Sequence, residues 1–297
     1  QSDGLQLVKT EIAIMKKLAH QNIVTLFEVI DTDDDSLFFV MELCPFGPII
    51  DLDKQKRDEE KGLSEVKARN LFQQIVLGIE YLHFNEILHL DIKPDNILYF
   101  ENPELVERPI CKIVDFGISE PFQASGDDTL RKFTGSPGFL APELCSPGAA
   151  VHGKMVDIWA MGITLYSLLC GLLPFQDEDP LELSEKIVND PYLVIVWSVV
   201  IQRVLVPAEF SRDLKILLNR LLDKTPETRI TMSELRNDDW LTNYGEEPLP
   251  DESMNLLAVE PPSEQEIDQA FKSLWSFATV FKAISKFRSG RKVSAMT

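Results

Sequence analysis

His89-Leu90-Asp91-Ile92-Lys93-Pro94-Asp95-Asn96 is the stretch that decides how this chain folds. It places a carboxylate, an ammonium and an amide on one short loop. Asp115-Phe116-Gly117 and then Ala141-Pro142-Glu143 follow it in the chain. A hydroxyl attacking a phosphoryl group needs an acceptor for its proton. It also needs oxygen ligands for the magnesium ions that bridge the phosphates, and a rigid loop to hold both. Asp91 is placed for the first task, Asn96 and Asp115 for the second. Lys93 adds a point charge that can neutralise the transferring group without a fixed geometry. Each short motif recurs by chance in a chain this long. Their order and spacing together suit a catalytic loop, a strand and a segment returning toward Glu143.

Composition narrows the field. With 297 residues, 44% of them hydrophobic, the chain can build a sizeable core. No apolar run reaches the length of a membrane span. The start, Gln1-Ser2-Asp3-Gly4, carries neither an initiator Met nor a signal pattern, so the chain is expected to be a fragment. Cys44, Cys111, Cys145 and Cys170 lie far apart, which favours neither a zinc site nor a disulfide framework. A reducing compartment, cytoplasmic or nuclear, is expected. A net charge of −19 argues against nucleic-acid binding, because phosphate backbones need basic surfaces.

Periodicity supplies the organisation. Leu7, Ile12, Met15, Leu18 and Ala19 recur at helical spacing. Asn22–Glu28 and Leu37–Leu43 read as strands around the turn-like 31–36. Ser64–His83 reads as a helix with Ser64 as its N-cap, and Asp157–Cys170 as a helix apolar nearly all round, hence buried. Residues 192–206 form an apolar insertion too short to cross a bilayer: a docking patch, or a segment packed on the helical part. From Glu246 to Asp268 the charged residues are all acidic; from Gln269 onward they are all basic. That switch marks a separate regulatory tail, with a last helix over Gln265–Phe287. The expected division is therefore a small lobe over 1–44, a helical lobe over 45–244, an acidic linker over 245–268 and a basic tail over 269–297. The fold class is α+β, a strand-bearing lobe ahead of a larger helical one.

Other residues have candidate roles. Glu11, on the first helix, is a carboxylate that can pair with a nucleotide-positioning lysine, or simply a solvated acid. Asp157, heading the buried helix, is costly unless hydrogen-bonded, and tethering the catalytic-loop backbone satisfies it. Arg229 suits a buried ion pair with Glu143, the alternative being a surface arginine.

These motifs resemble those of Ser/Thr protein kinases, and Gly135-Ser136-Pro137 resembles their substrate-docking loop. Glu11–Leu18, Gly47-Pro48-Ile49 and especially Trp240-Leu241-Thr242-Asn243-Tyr244-Gly245-Glu246-Glu247-Pro248-Leu249-Pro250 resemble the calcium/calmodulin-dependent protein kinase kinases. The resemblance implies a bilobal protein-kinase fold, ATP and Mg2+ as cofactors, and other protein kinases as substrates. It implies that Ser136 bonds to Asp91 and Lys93. It makes Met41 the gatekeeper, Glu42 to Cys44 the adenine-binding hinge and Leu98 the floor under the adenine. His89, Phe116 and Gly117 are then structural members of their motifs. Two departures stand out. No glycine-rich loop or strand lysine precedes Glu11, so the small lobe is expected to be incomplete. Leu90 replaces the arginine that usually precedes the base and receives an activation-segment phosphate, which leaves a non-catalytic scaffold as the rival reading.

The tail carries a second activity. Phe271, Leu274, Trp275, Ala278, Phe281, Ile284 and Phe287 recur at helical spacing among Lys272, Lys282, Lys286, Arg288, Arg291 and Lys292, with Leu274, Phe281 and Phe287 at relative positions 1, 8 and 14. Basic amphipathic helices of this kind insert aromatic anchors into the Met-rich grooves of calcium-loaded calmodulin. A membrane surface, or the kinase's own lobe, is the competing partner.

Overall fold

Helix formation begins at the second residue. The computed structural model describes residues 2–31, 37–52, 62–115, 120–121, 126–130, 135–146, 150–191 and 210–273. The first half contains α1 (Ser2–Lys17), β1 (Leu26–Asp31), β2 (Leu37–Met41), α2 (Glu65–Phe84), β3 (Ile87–Leu88), β4 (Ile97–Tyr99), β5 (Cys111–Ile113) and β6 (Glu120–Pro121). Then come α3 (Pro142–Cys145), α4 (Gly153–Cys170), α5 (Pro180–Asn189), α6 (Arg212–Leu221), α7 (Met232–Arg236), α8 (Glu252–Asn255), α9 (Glu264–Asp268) and β7 (Lys272–Ser273). No described helix is long and apolar enough to cross a membrane.

The chain divides into two units. One comprises Gln1–Ala19, Val24–Leu43 and Val259–Thr297, the other His20–Ile23 and Cys44–Ala258. This division cuts the acidic linker in two, with 245–258 in the larger unit and 259–268 in the smaller. In the smaller unit β1 pairs antiparallel with β2, from Leu26↔Met41 to Asp31↔Leu37, and parallel with β7 at Ile30↔Lys272. Helix α1 lays Ile12 and Ala13 against Leu26 and Val29 of β1, and Ala270 completes the cluster.

The larger unit is built on two helices. Ser64 caps α2, accepting from the Lys67 N–H, and the helix buries Leu71, Phe72, Ile75, Val76 and Ile79 at helical spacing. Helix α4 is buried on every face, as its all-round apolar sequence requires, and stops at Gly171, whose φ of 71° is left-handed. A core of Leu88, Leu90, Leu130, Phe139, Val151, Trp159, Ile163 and Phe175 gathers beside α4. Each such side chain withdrawn from water contributes roughly 1.5–3 kcal/mol. Two polar clasps frame positions 191 and 210. Lys224 Nζ donates to the carbonyls of Lys186, Ile187 and Asp190, closing the end of α5. Glu65 accepts from the Ser211 N–H at 2.7 Å, the Ser211 hydroxyl at 2.8 Å and Trp240 Nε1 at 3.0 Å.

Two expectations need correction. The first expected strand begins at Leu26, not Asn22, because the Asn22 amide donates instead to Gln74 Oε1 and the Cys111 carbonyl. The expected helix from Gln265 to Phe287 is interrupted: α9 ends at Asp268, with Gln269 as C-cap, and Lys272–Ser273 is extended. The open edge of β1 offers these residues ladder hydrogen bonds that helical periodicity cannot foresee. The 32–36 turn, the 192–206 insertion and the tail beyond Ser273 lie outside the described residues.

Candidate active site

The loop from His89 to Asn96 joins β3 to β4 and is anchored from below by a single buried carboxylate. Asp157, fully buried on α4, accepts the Leu90 N–H at 2.8 Å, the His89 N–H at 3.0 Å and His83 Nε2 at 2.8 Å. His83 is a partner that sequence reasoning missed; its only signal was a lone histidine closing an apolar helix. His89 is itself buried. Its Nε2 donates to the Val114 carbonyl at 3.1 Å and its Nδ1 accepts the Asp91 N–H at 3.3 Å. Burial pushes the His89 pKa down, outweighing the nearby Asp157 charge, so the ring is a neutral strut of fixed tautomer.

On this platform the polar groups converge. Lys93 Nζ donates to Asp91 Oδ2 at 2.6 Å and to Ser136 Oγ at 2.7 Å, and the Ser136 hydroxyl donates to Asp91 Oδ1 at 2.7 Å. Asn96 Nδ2 donates to the Asp91 carbonyl at 2.9 Å and to Oδ2 at 3.0 Å. Burial favours a neutral Asp91, but the bonds from Lys93 and Ser136 outweigh it and hold the carboxyl below its usual range. Asp91 is therefore ionised at neutral pH. Ser136 reaches this site because Gly135 adopts φ 137°; a Cβ there would crowd the Leu90 carbonyl at 3.3 Å.

Asp115, exposed at the end of β5, has φ 66°, a left-handed conformation that Asp tolerates better than most residues. Asn96 and Asp115 offer hard oxygen donors. With the Asn96 amide nitrogen engaged by Asp91, its oxygen is the atom that remains for a cation. Among the described residues no group of three or more His, Cys, Asp or Glu could hold a metal. The two oxygen donors of Asn96 and Asp115 fit magnesium, which keeps waters and takes phosphate oxygens alongside one or two protein ligands. Phe116 and Gly117 lie outside the described residues.

Leu90 also has a positive φ, 65°, and is buried in the core with Leu130, Phe139 and Val151. The segment carrying Leu130 is tied down by its N–H bond to the Val151 carbonyl at 2.9 Å. Asp128 accepts from His152 Nδ1 at 2.8 Å and from the Lys154 N–H at 3.0 Å. Arg229 meets Glu143 through two parallel bonds of 2.7 and 2.9 Å, donates to the Met155 and Asp223 carbonyls, and lies over the Trp159 ring.

The remaining candidates divide between the units. Glu11 sits half-buried on α1, Met41 ends β2, and the Glu42 N–H donates to the Thr25 carbonyl at 2.9 Å, all in the smaller unit. Cys44 and Leu98 belong to the larger unit, where Leu98 bridges to Pro48. Leu274, Trp275, Phe281 and Phe287 lie beyond the described residues.

A loop carrying ionised aspartate, lysine and asparagine, braced by a buried aspartate on α4, is the arrangement of a phosphotransfer domain. The model for the family described as protein kinase domain matches residues 1–241, and the chain belongs to that family. It is similar to the calcium/calmodulin-dependent protein kinase kinase of Emericella nidulans, 38% identical over 255 residues, 85% of this chain and 45% of that protein. The calcium/calmodulin-dependent protein kinase kinase of Caenorhabditis elegans is 36% identical over 271 residues, 90% of this chain and 46% of that protein. A probable serine/threonine-protein kinase of Dictyostelium discoideum is 37% identical over 270 residues, 90% of this chain and 34% of that protein. The chain thus spans less than half the length of these relatives.

Proposed function

We propose that this chain is the catalytic part of an ATP- and magnesium-dependent Ser/Thr protein kinase of the calcium/calmodulin-dependent kinase kinase type, acting on other protein kinases. The cluster of Asp91, Lys93, Asn96 and Ser136 carries the proposal. Asp91 Oδ1, already bonded to one hydroxyl, orients the substrate hydroxyl and takes its proton as the oxygen attacks. Lys93, 2.6 Å from Asp91, balances the charge of the transferring group. Asn96 and Asp115 would hold Mg2+, which would supply positive charge against the nucleotide phosphates. In the larger unit, Cys44 and Leu98 are the residues that would hold the adenine. The finer reading draws on Trp240–Pro250 and the basic tail, whose Leu274, Trp275, Phe281 and Phe287 are the anchors for calcium-loaded calmodulin.

The rival is a scaffold that binds partners without turnover. It draws on Leu90, where the resemblance places an arginine. Joined to a glycine-rich loop and lysine strand, the chain should phosphorylate a kinase-derived Ser/Thr peptide and lose that activity on Asp91→Asn. Turnover that survives Asp91→Asn, or none with the strands supplied, would defeat the enzyme reading.

A further inference from the structure

The acidic linker does not end where the helical lobe ends. Its second half returns to helix α1 and joins the smaller unit as an extra helix and strand. Ala270 is fully buried with Ile12, Ala13, Leu26 and Val29, and Ile267, Phe271 and Met15 close over them. Lys16 Nζ, on α1, donates to the Ala270 carbonyl at 2.7 Å and to Glu28 Oε1 at 2.5 Å. Lys272 pairs with the other oxygen of Glu28, so one strand carboxylate is held by a helix lysine and a tail lysine together. β7 adds to the open edge of β1. Helix α9 opens with a capping box, Ser263 and Glu266, and Glu266 also reaches Lys17 at 3.2 Å. Apolar burial, an edge-strand ladder and charge pairs thus converge on the same ten-residue stretch, and consistency of that kind marks a specified docking site.

We propose that residues 264–273 are a built-in clamp on helix α1, which holds its position only while they are docked. The docked stretch runs through to Ser273, past the acidic-to-basic switch near Gln269. Lys16 is the pivot, because its ammonium joins α1 to both β1 and the tail backbone. A partner that captures the basic sequence beyond Ser273 pulls directly on a segment bonded to α1. That makes the tail an input to the helix that carries Glu11. This consequence rests on the kinase reading of Glu11, whereas the docking does not.

Hydrogen exchange on the full chain separates the two. Ala270→Asp sets a carboxylate in the apolar cluster and should eject the segment. Exchange of the α1 amides from residue 10 to 17 should rise about tenfold or more, with α4 amides unchanged as the internal control. Lys272→Met keeps the packing and removes one of the ammonium partners of Glu28; a local rise of about two- to fivefold is expected. Unchanged α1 exchange in Ala270→Asp overturns the clamp. If exchange in α4 rises in parallel, or Ala270→Asp unfolds the whole chain, Lys272→Met decides, a local rise in α1 supporting the clamp and no change refuting it. None of these readouts needs catalytic turnover, so an inactive protein that passes them refutes only the kinase consequence.

Discussion

At the residue scale, Leu90 shows how one substitution changes what holds a loop. Its side chain is 4% exposed, packed on Leu130 and Val151, and its N–H is fixed by Asp157. Where a phosphate-reading arginine is expected, apolar contact holds the segment instead. Arginine at this position would bury a guanidinium among Leu130, Phe139 and Val151, so Leu90→Arg should destabilise the fold by about 2–5 kcal/mol. It should not create a response to phosphorylation of Thr129 or Ser136. Denaturant midpoints check the first point; activity before and after phosphatase treatment checks the second. Arg229 offers a complementary case, since lysine cannot reproduce its parallel pair of bonds to Glu143 or its contact with Trp159. Arg229→Lys should cost roughly 2–4 kcal/mol by the same measurement, and a change below about 1 kcal/mol would show the ion pair to be replaceable.

At the element scale, the structure separates what the sequence states from what it leaves open. Helices α2 and α4 are legible because burial is written into each at a fixed period. The loop from His89 to Asn96 is legible because its residue types are dictated by chemistry. The Lys16–Glu28–Lys272 cluster is not legible, since each of its members reads alone as an ordinary surface charge. They meet only because the chain returns after more than two hundred residues. The tail was misread for a related reason: Phe271 fits the helical period with Leu274 and Trp275, but the edge of β1 claims Lys272 and Ser273 first. A peptide from Leu274 to Lys292 should consequently bind calcium-loaded calmodulin within about threefold of one starting at Gln269. Trp275→Ala should weaken it roughly 30- to 1,000-fold, the scale of a buried aromatic anchor, and Lys292→Ala far less. Equal binding with calcium chelated, or preferential capture by anionic vesicles, would transfer the tail to a membrane role.

For the whole molecule, buried His89 and half-buried His20 set the response to acid. Burial pushes both His89 and His20 below their ordinary value of 6.5, in His20 against a raising bond from Asn255. The unfolded chain therefore binds protons at these sites before the folded one does, and stability falls as pH drops below about 6.5. Asp91 and Glu28 work in a lower window. For both, burial favours the neutral acid, but lysine bonds hold the carboxyl below its ordinary range. Their contribution is complete above the ordinary carboxylate values and is lost as pH falls through the lower folded ones. Melting temperatures should accordingly decline from about pH 7.5 to 5.5 and again below about pH 4. His20→Gln, which keeps a hydrogen-bonding side chain beside Asn255, should flatten the upper limb. A melting temperature that rises on going from pH 7 to 5 would rule this assignment out.

The clasps at Lys224 and Glu65 bear on how such a chain changes over generations. Each fastens one flank of the 191–210 interval to the helical core by bonds that owe nothing to the residues between. Whatever sequence occupies that interval starts and finishes at a pinned point. Each doubling of its length costs about 0.6 kcal/mol in ring closure. Such a joint can admit or discard a segment without disturbing Asp91 or Ser136. Exchanging 192–206 for a short glycine-serine bridge should shift the melting temperature by no more than about 2–4 °C. New sequence can therefore be tried at this seam while the catalytic loop stays as it is.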